Sequence, residues 1–234
     1  MDSFTMFSGL HFVTVAVCLL LVALVTKVGL TLRGMPGEVR LRHALAVATF
    51  IYWFVYNTWW NWGGFDLKEG LPLHICDLNA IFAALALLTG NRWVRAVLYF
   101  WTFALTSQAF LQPHLSYGPA HVVFWGFWGT HGLILACAVY DIVVLKFRPD
   151  WRDLGRTCVV SAIYIAIVMP IDLLLGANYA YVGNPADPKM IPPFVAALGP
   201  WPWRALAVCA LATLAFVLVL LPWLAVRRTQ RAVT

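Results

Sequence analysis

Apolar residues run through the chain in seven long stretches, about 8–31, 41–61, 72–90, 93–112, 120–145, 155–176 and 203–226, with short polar links between most of them. Each comes close to the roughly 20 residues that a helix needs to cross a bilayer's hydrocarbon core. The second stretch ends in the polar run Asn57-Thr58-Trp59-Trp60-Asn61, and the third is interrupted early by His74 and Asp77. The pattern predicts an all-α polytopic membrane protein: one domain over 1–234 with seven transmembrane helices and no room for a soluble domain. The one long link, 177–202, carries Asn184-Pro185, Asp187-Pro188, Pro192-Pro193 and Gly199-Pro200-Trp201-Pro202. It reads as an extracytoplasmic loop able to cap the bundle as a lid.

Composition strengthens the reading. The chain is 62% hydrophobic and 11% charged, against about 25% charged in soluble domains. Charge then orients the helices. Seven crossings put Lys27, Arg33, Arg40, Arg42, Arg92, Arg95, Lys146, Arg148, Arg152, Arg156, Arg227, Arg228 and Arg231 on one side, and only Lys68, Lys189 and Arg204 on the other. By the positive-inside rule the N-terminus is outside and the C-terminus inside, in a multi-pass protein of the cell inner (plasma) membrane. The net charge of +6 is thus an orientation signal facing anionic lipid and does not argue for nucleic acid. Trp59, Trp60, Trp62, Trp201 and Trp203 fall at outer ends and Trp93, Trp151 and Trp223 at inner ends, as an interfacial belt requires. The first stretch lacks a basic segment before it and reads as a retained span rather than a cleaved signal peptide.

Threaded in this way, His74, Asp77, Gln108, His114, His131, Asp172 and Asn178 fall in the outer half of the membrane. Polar groups gathered at one depth in lipid mark a site. His131 stands about 16 Å deep at helical rise and requires a partner. Gly126, Gly129 and Gly132 around it permit close helix approach or admit a ligand chain. His74 and Asp77 are i, i+3 neighbours, so that Asp77 is placed either to hold the imidazole in one tautomer or to join helices. Cys76 points about 100° away from Asp77 and reads first as packing; as a nucleophile it needs an activating base. The remaining cysteines, Cys18, Cys137, Cys158 and Cys209, form no CxxC pair and suggest neither a disulfide framework nor a zinc ribbon. His121 flanks an outer loop beside His114, while His11 and His43 read as structural.

Leu71-Pro72-Leu73-His74-Ile75-Cys76-Asp77-Leu78, then Tyr99-Phe100-Trp101, Gln108, Pro113, Thr130-His131-Gly132, Leu175-Gly176-Ala177-Asn178-Tyr179 and Gly199-Pro200-Trp201-Pro202-Trp203 resemble the successive signature blocks of the YwaF-like bacterial integral membrane proteins. The chain is more distantly similar to animal transmembrane acyltransferases that move polyunsaturated acyl chains between phospholipids. It is likewise similar to the androgen-induced-gene hydrolases of fatty acid esters of hydroxy fatty acids. Those proteins use an intramembrane Cys or Thr nucleophile with a His on another helix. The acyltransferase Cys directly precedes a His following Pro; here Leu73 occupies that position, and Cys76 substitutes only if the helix turns it inward.

The leading expectation is therefore lipid acyl transfer or ester hydrolysis on membrane lipids, with acyl chains or phospholipid as substrate. His131 would be general base, His74 and Asp77 orienting or oxyanion-side partners and Cys76 the nucleophile, with Gln108, Asp172 and Asn178 on the substrate side and neither cofactor nor metal. A metal-dependent variant would use His74, Asp77 and His131 as ligands. The alternatives are a proton-coupled transporter with a relay through His74, Asp77, His131 and Asp172, and a non-catalytic scaffold in which the same residues join helices.

Overall fold

A computed structural model describes the backbone of residues 3–232 and side chains as far as residue 225; Arg227, Arg228 and Arg231 of the basic set lie outside the described side chains. Within those limits the regular structure is helical. Helix α1 (Gly9–Thr31) starts at Ser8, whose hydroxyl accepts the His11 N–H. Helix α2 (Pro36–Asn61) has Pro at its first position, where a missing N–H costs nothing. Helix α3 (Ile75–Thr89) ends at Gly90 with φ 64°, a left-handed cap that glycine adopts without strain. Asn91 then accepts the Trp93 and Val94 N–H groups and opens α4 (Arg92–Phe100). This column continues through a π-helical turn, Trp101–Thr106, into the short α5 (Gln108–Leu111). Helix α6 (Val122–Val143) and α7 (Trp151–Leu175) follow, the latter opened by a capping box between Asp150 and Asp153. The 177–202 link holds a 3₁₀ turn (Pro188–Met190) and α8 (Pro193–Ala196) before α9 (Trp203–Ala232).

Among the described residues, four helices are long and apolar enough to cross a membrane: α1, α6, α7 and α9 as far as Ala225. The other predicted stretches are helical but fall short for identifiable reasons. Helix α2 is diluted by Glu38, Arg40, Arg42 and His43 at one end and Asn57 and Asn61 at the other. Helix α3 has 15 residues, because His74 is its N-cap rather than part of it. The fourth column changes helical pitch at the π turn.

Helix α6 is the central element. It buries 61% of its most apolar window, against 17% for α1, α7 and α9, and packs on α1, α2 and α3. Its glycines mark the closest approaches: the Tyr56 ring covers Gly126, Tyr52 covers Gly129, and Cys18 Sγ lies 3.6 Å from where a Gly132 β-carbon would be. Of the two roles that the sequence left open for them, these glycines take close helix approach. On α3 a run of buried small residues (Ala80, Ala83, Ala84, Ala86) serves similarly. A second core joins the fourth column to α7, α9 and the 177–202 link through Phe100, Trp101, Tyr164, Tyr179 and Phe216.

Basic residues gather where α1, α4, α6 and α7 meet. Arg33 donates to the Val144 carbonyl at the end of α6. Arg95 grips buried Asp141 at 2.9 and 3.0 Å, and Arg92 reaches buried Asp153 at 2.6 Å.

Candidate active site

Cys76 is the second residue of α3 and His131 lies mid-way along α6. His131 Nδ1 stands 2.7 Å from the Phe127 carbonyl oxygen one turn earlier. A carbonyl only accepts, so Nδ1 carries the ring proton and Nε2 presents its lone pair. That lone pair faces Cys76 Sγ at 3.2 Å, and the thiol donates to it. A ring of 4.3 Å centroid separation, Phe127, closes one side of the imidazole. His131 is buried, 7% exposed.

The start of α3 adds to the pair. His74 caps the helix, and the amides of Ile75 and Cys76 in its first turn have no carbonyl one turn back to bond. Such orphan N–H groups favour negative charge beside them. Asn79, fully buried and one turn along α3 from Cys76, donates to Thr102 Oγ1 at 3.0 Å and Thr106 Oγ1 at 3.1 Å, both on the π turn. In the 177–202 link the Tyr181 ring packs edge-on against Phe194, and burial, then the charge of the Cys76 thiolate, push its phenol up to about 12. It is thus an O–H donor at neutral pH. Tyr181 adopts φ 60°, an uncommon backbone state for a bulky residue that tends to occur at functional sites.

The other predicted site residues are placed differently. Asp77 does not touch His131: its Oδ1 accepts from Trp53 Nε1 at 3.0 Å and Asn57 Nδ2 at 3.2 Å, tying α3 to α2. His74 Nδ1 lies 3.2 Å from the Tyr179 carbonyl and its ring packs edge-on against Tyr179; among the described residues no His74–Asp77 ion pair forms. The imidazole is therefore oriented by a backbone carbonyl where a carboxylate was expected. Asp172 is fully buried and accepts the Tyr179 N–H at 3.0 Å. Asn178 donates to the Met190 carbonyl at 2.8 Å and accepts from Gly183 N–H at 3.2 Å. Both fasten the 177–202 link rather than line the pair. Gln108 is exposed and donates only to Ala104 O of its own column, at 3.4 Å. His114 makes no contact with the pair, His121 caps α6, and His11 bridges to Phe110 O at 3.0 Å. Among the described residues no three His, Cys, Asp or Glu side chains form a metal-ligand group.

An open cleft of about 600 Å³ lies between α2 and the link to α3, lined by Trp53, Asn57, Asn61, Trp62, Phe65 and Pro72. Trp53 and Asn57 thus connect the cleft to Asp77, the residue after Cys76. Sequence reasoning overlooked Asn79, Thr106 and Tyr181. A buried Asn one turn beyond Cys76 in an otherwise apolar stretch was the available signal.

Compared with known proteins, the model of the TMEM164 family matches residues 6–221. An uncharacterized protein of Treponema pallidum (strain Nichols) is 28% identical over 183 residues, covering 77% of this chain and 76% of that protein. No solved structure matches.

Proposed function

The chain belongs to the TMEM164 family, and from that premise we propose that it is a membrane-embedded enzyme of acyl transfer, an acyltransferase or ester hydrolase acting on membrane lipids. Cys76 is its nucleophile and His131 its general base. The observation carrying this reading is the 3.2 Å Cys76–His131 pair with the imidazole held in the accepting tautomer by Phe127, an arrangement that activates a thiol. The likeness to YwaF-like proteins and to lipid acyltransferases and hydrolases belongs to the same proposal, as do seven spans, an outside N-terminus and the plasma membrane as location.

The chemistry follows from the atoms present. The Cys76 proton passes to His131 Nε2 as sulfur attacks the ester carbonyl carbon. Orphan amides at the start of α3 stabilise the oxyanion. Collapse breaks the carbon–oxygen bond, and His131 returns the proton to the leaving alcohol. The acyl group is then a Cys76 thioester. An acceptor hydroxyl, or water, gives its proton to His131 and attacks the thioester; the carbon–sulfur bond breaks and the thiolate is reprotonated. Asp77 and Asp172 are committed to Trp53, Asn57 and Tyr179, which favours this scheme over a proton relay through them.

The test supplies the full-length protein in vesicles with a phospholipid bearing a labelled acyl chain. Peptide mass spectrometry should find a hydroxylamine-labile acyl group on Cys76, absent in Cys76→Ala along with transfer and hydrolysis. Undiminished activity in Cys76→Ala would remove the thiol mechanism.

A further inference from the structure

The cleft between α2 and the link to α3 takes no part in the scheme above, yet its inner side adjoins the helix turn that carries the nucleophile. It measures about 600 Å³, and a smaller hollow of about 360 Å³ shares Phe54, Thr58 and Trp62 with it while adding Val55 and Trp59. The two form one groove along α2, within the roughly 300–1,000 Å³ usual for small-molecule sites. No charged side chain lines either part; aromatic rings form much of the wall, and Asn57, Thr58 and Asn61 supply its polar positions. The rim is fixed on two sides. Asn61 Nδ2 donates to the Gly70 carbonyl at 3.0 Å, a β-carbon at Gly70 would collide with Asn61, and the Tyr179 hydroxyl donates to the Leu67 carbonyl at 2.8 Å. On the inner side stands buried Trp53, whose Nε1 donates to Asp77 Oδ1 at 3.0 Å beside Asn57 Nδ2 at 3.2 Å. Asp77 faces α2 and Cys76 faces α6 from the same first turn of α3, so the Trp53 indole stands between the groove and that turn.

We propose that the groove receives the acyl chain of the lipid substrate and brings its ester to Cys76, with Trp53 as the inner wall that the chain must pass. Asp77 is then a positioning residue, because its side-chain oxygen fixes the indole. An uncharged aromatic groove suits an alkyl chain, which gains by leaving water, while Asn57, Thr58 and Asn61 offer hydrogen bonds to an ester or a hydroxyl. Phe54, Trp59, Trp62 and Phe65 are exposed, and tryptophans so placed mark the level where a lipid's chains meet its polar part. A peptide or an ionic solute would leave polar groups unpaired against these rings. The inference rests on the reading of Cys76 and His131 as nucleophile and base, and it moves their substrate from Gln108, Asp172 and Asn178 to the face of α2.

The experiment compares N-ethylmaleimide with N-dodecylmaleimide on the full-length protein in phosphatidylcholine vesicles, resolving Cys76 by peptide mass with Cys18, Cys137, Cys158 and Cys209 as internal references. Thr58 is exposed and lines both parts of the groove, so Thr58→Trp fills it without entering the core. The dodecyl reagent should then reach Cys76 about tenfold more slowly, the kinetic equivalent of overpacking, while the ethyl reagent is unaffected. Trp53→Phe removes the bond that holds the wall and should speed the dodecyl reagent selectively; Asp77→Ala frees the same indole and gives the same reading should that variant not fold. A dodecyl rate unchanged by Thr58→Trp overturns the groove as the route, and an equal loss for both reagents overturns the acyl chain as its occupant. No selective gain in Trp53→Phe or Asp77→Ala overturns Trp53 as the wall. A phospholipid with a diazirine in its acyl chain should also crosslink Phe54, Trp62 and Phe65 in preference to the exposed faces of α1 and α9; even labelling of all three elements means bulk bilayer lipid only and overturns the site. Reaction of Cys76 with N-ethylmaleimide that His131→Asn does not slow overturns the underlying pair instead.

Discussion

Cys76 Sγ and His131 Nε2 stand 3.2 Å apart although 55 residues separate them in the chain. One comes from the first turn of a helix and the other from the middle of the most buried helix, so the contact depends on how α3 and α6 pack.

That dependence separates catalysis from helix joining. In His131→Asn the side chain keeps a hydrogen-bonding group but has no base near neutral pH, and removing general-base catalysis costs about a hundredfold or more. We expect acyl transfer to fall by that amount in both His131→Asn and His131→Ala. Only the alanine variant should also lose stability, by about 1 kcal/mol, read by thermal unfolding in detergent. Full transfer activity in His131→Asn would end the base assignment.

Helix approach offers a second test. A β-carbon at Gly126 would collide with the Tyr56 ring, so Gly126→Ala should destabilise the protein by about 1–3 kcal/mol, the usual cost of overpacking. Adding Tyr56→Ala should recover part of the loss, a coupling that a double-mutant cycle measures. Gly155→Ala in α7 meets nothing within 4 Å and should be neutral or slightly stabilising, since alanine favours a helix interior.

Orientation can be read chemically. With the basic links inside, a cysteine introduced at Glu69 or Asp187 should react with a membrane-impermeant maleimide added to intact cells. Reaction at both only after permeabilisation would invert the topology proposed above.

Much of the fold was legible because apolar runs are an unambiguous signal. Each predicted stretch holds a helix, although α3 starts only at Ile75 and α6 only at Val122, and the need for a partner at His131 followed from the cost of a lone imidazole in lipid. Other parts of the site were hidden for physical reasons. The partner that orients His131 is the Phe127 backbone carbonyl, which no side-chain pattern displays. Cys76 looked averted because its direction was judged against Asp77. The structure places Asp77 toward α2 and leaves Cys76 toward α6. The π turn is invisible to apolar periodicity, since Trp101–Thr106 reads equally well as ordinary helix. Asp172 and Asn178 drew attention as polar residues among apolar stretches, but their bonds to Tyr179, Gly183 and Met190 make them fasteners of the 177–202 link.

The π turn also ties the faces of this stretch to how the turn is wound. A π turn takes up one residue more than an α turn does, so Gln108–Leu111 are set back by one position from where a uniform helix would put them. Were Trp101–Thr106 to rewind as α-helix with every residue kept, everything downstream would turn by about 100°. The hydroxyl of Thr106 would then leave Asn79, and Phe110, whose carbonyl receives His11, would leave α1. Losing one residue within the turn does the reverse. A uniform helix one residue shorter brings the following side chains back to the places they hold now, so this column can shed a residue here at a cost that any other deletion along it would exceed.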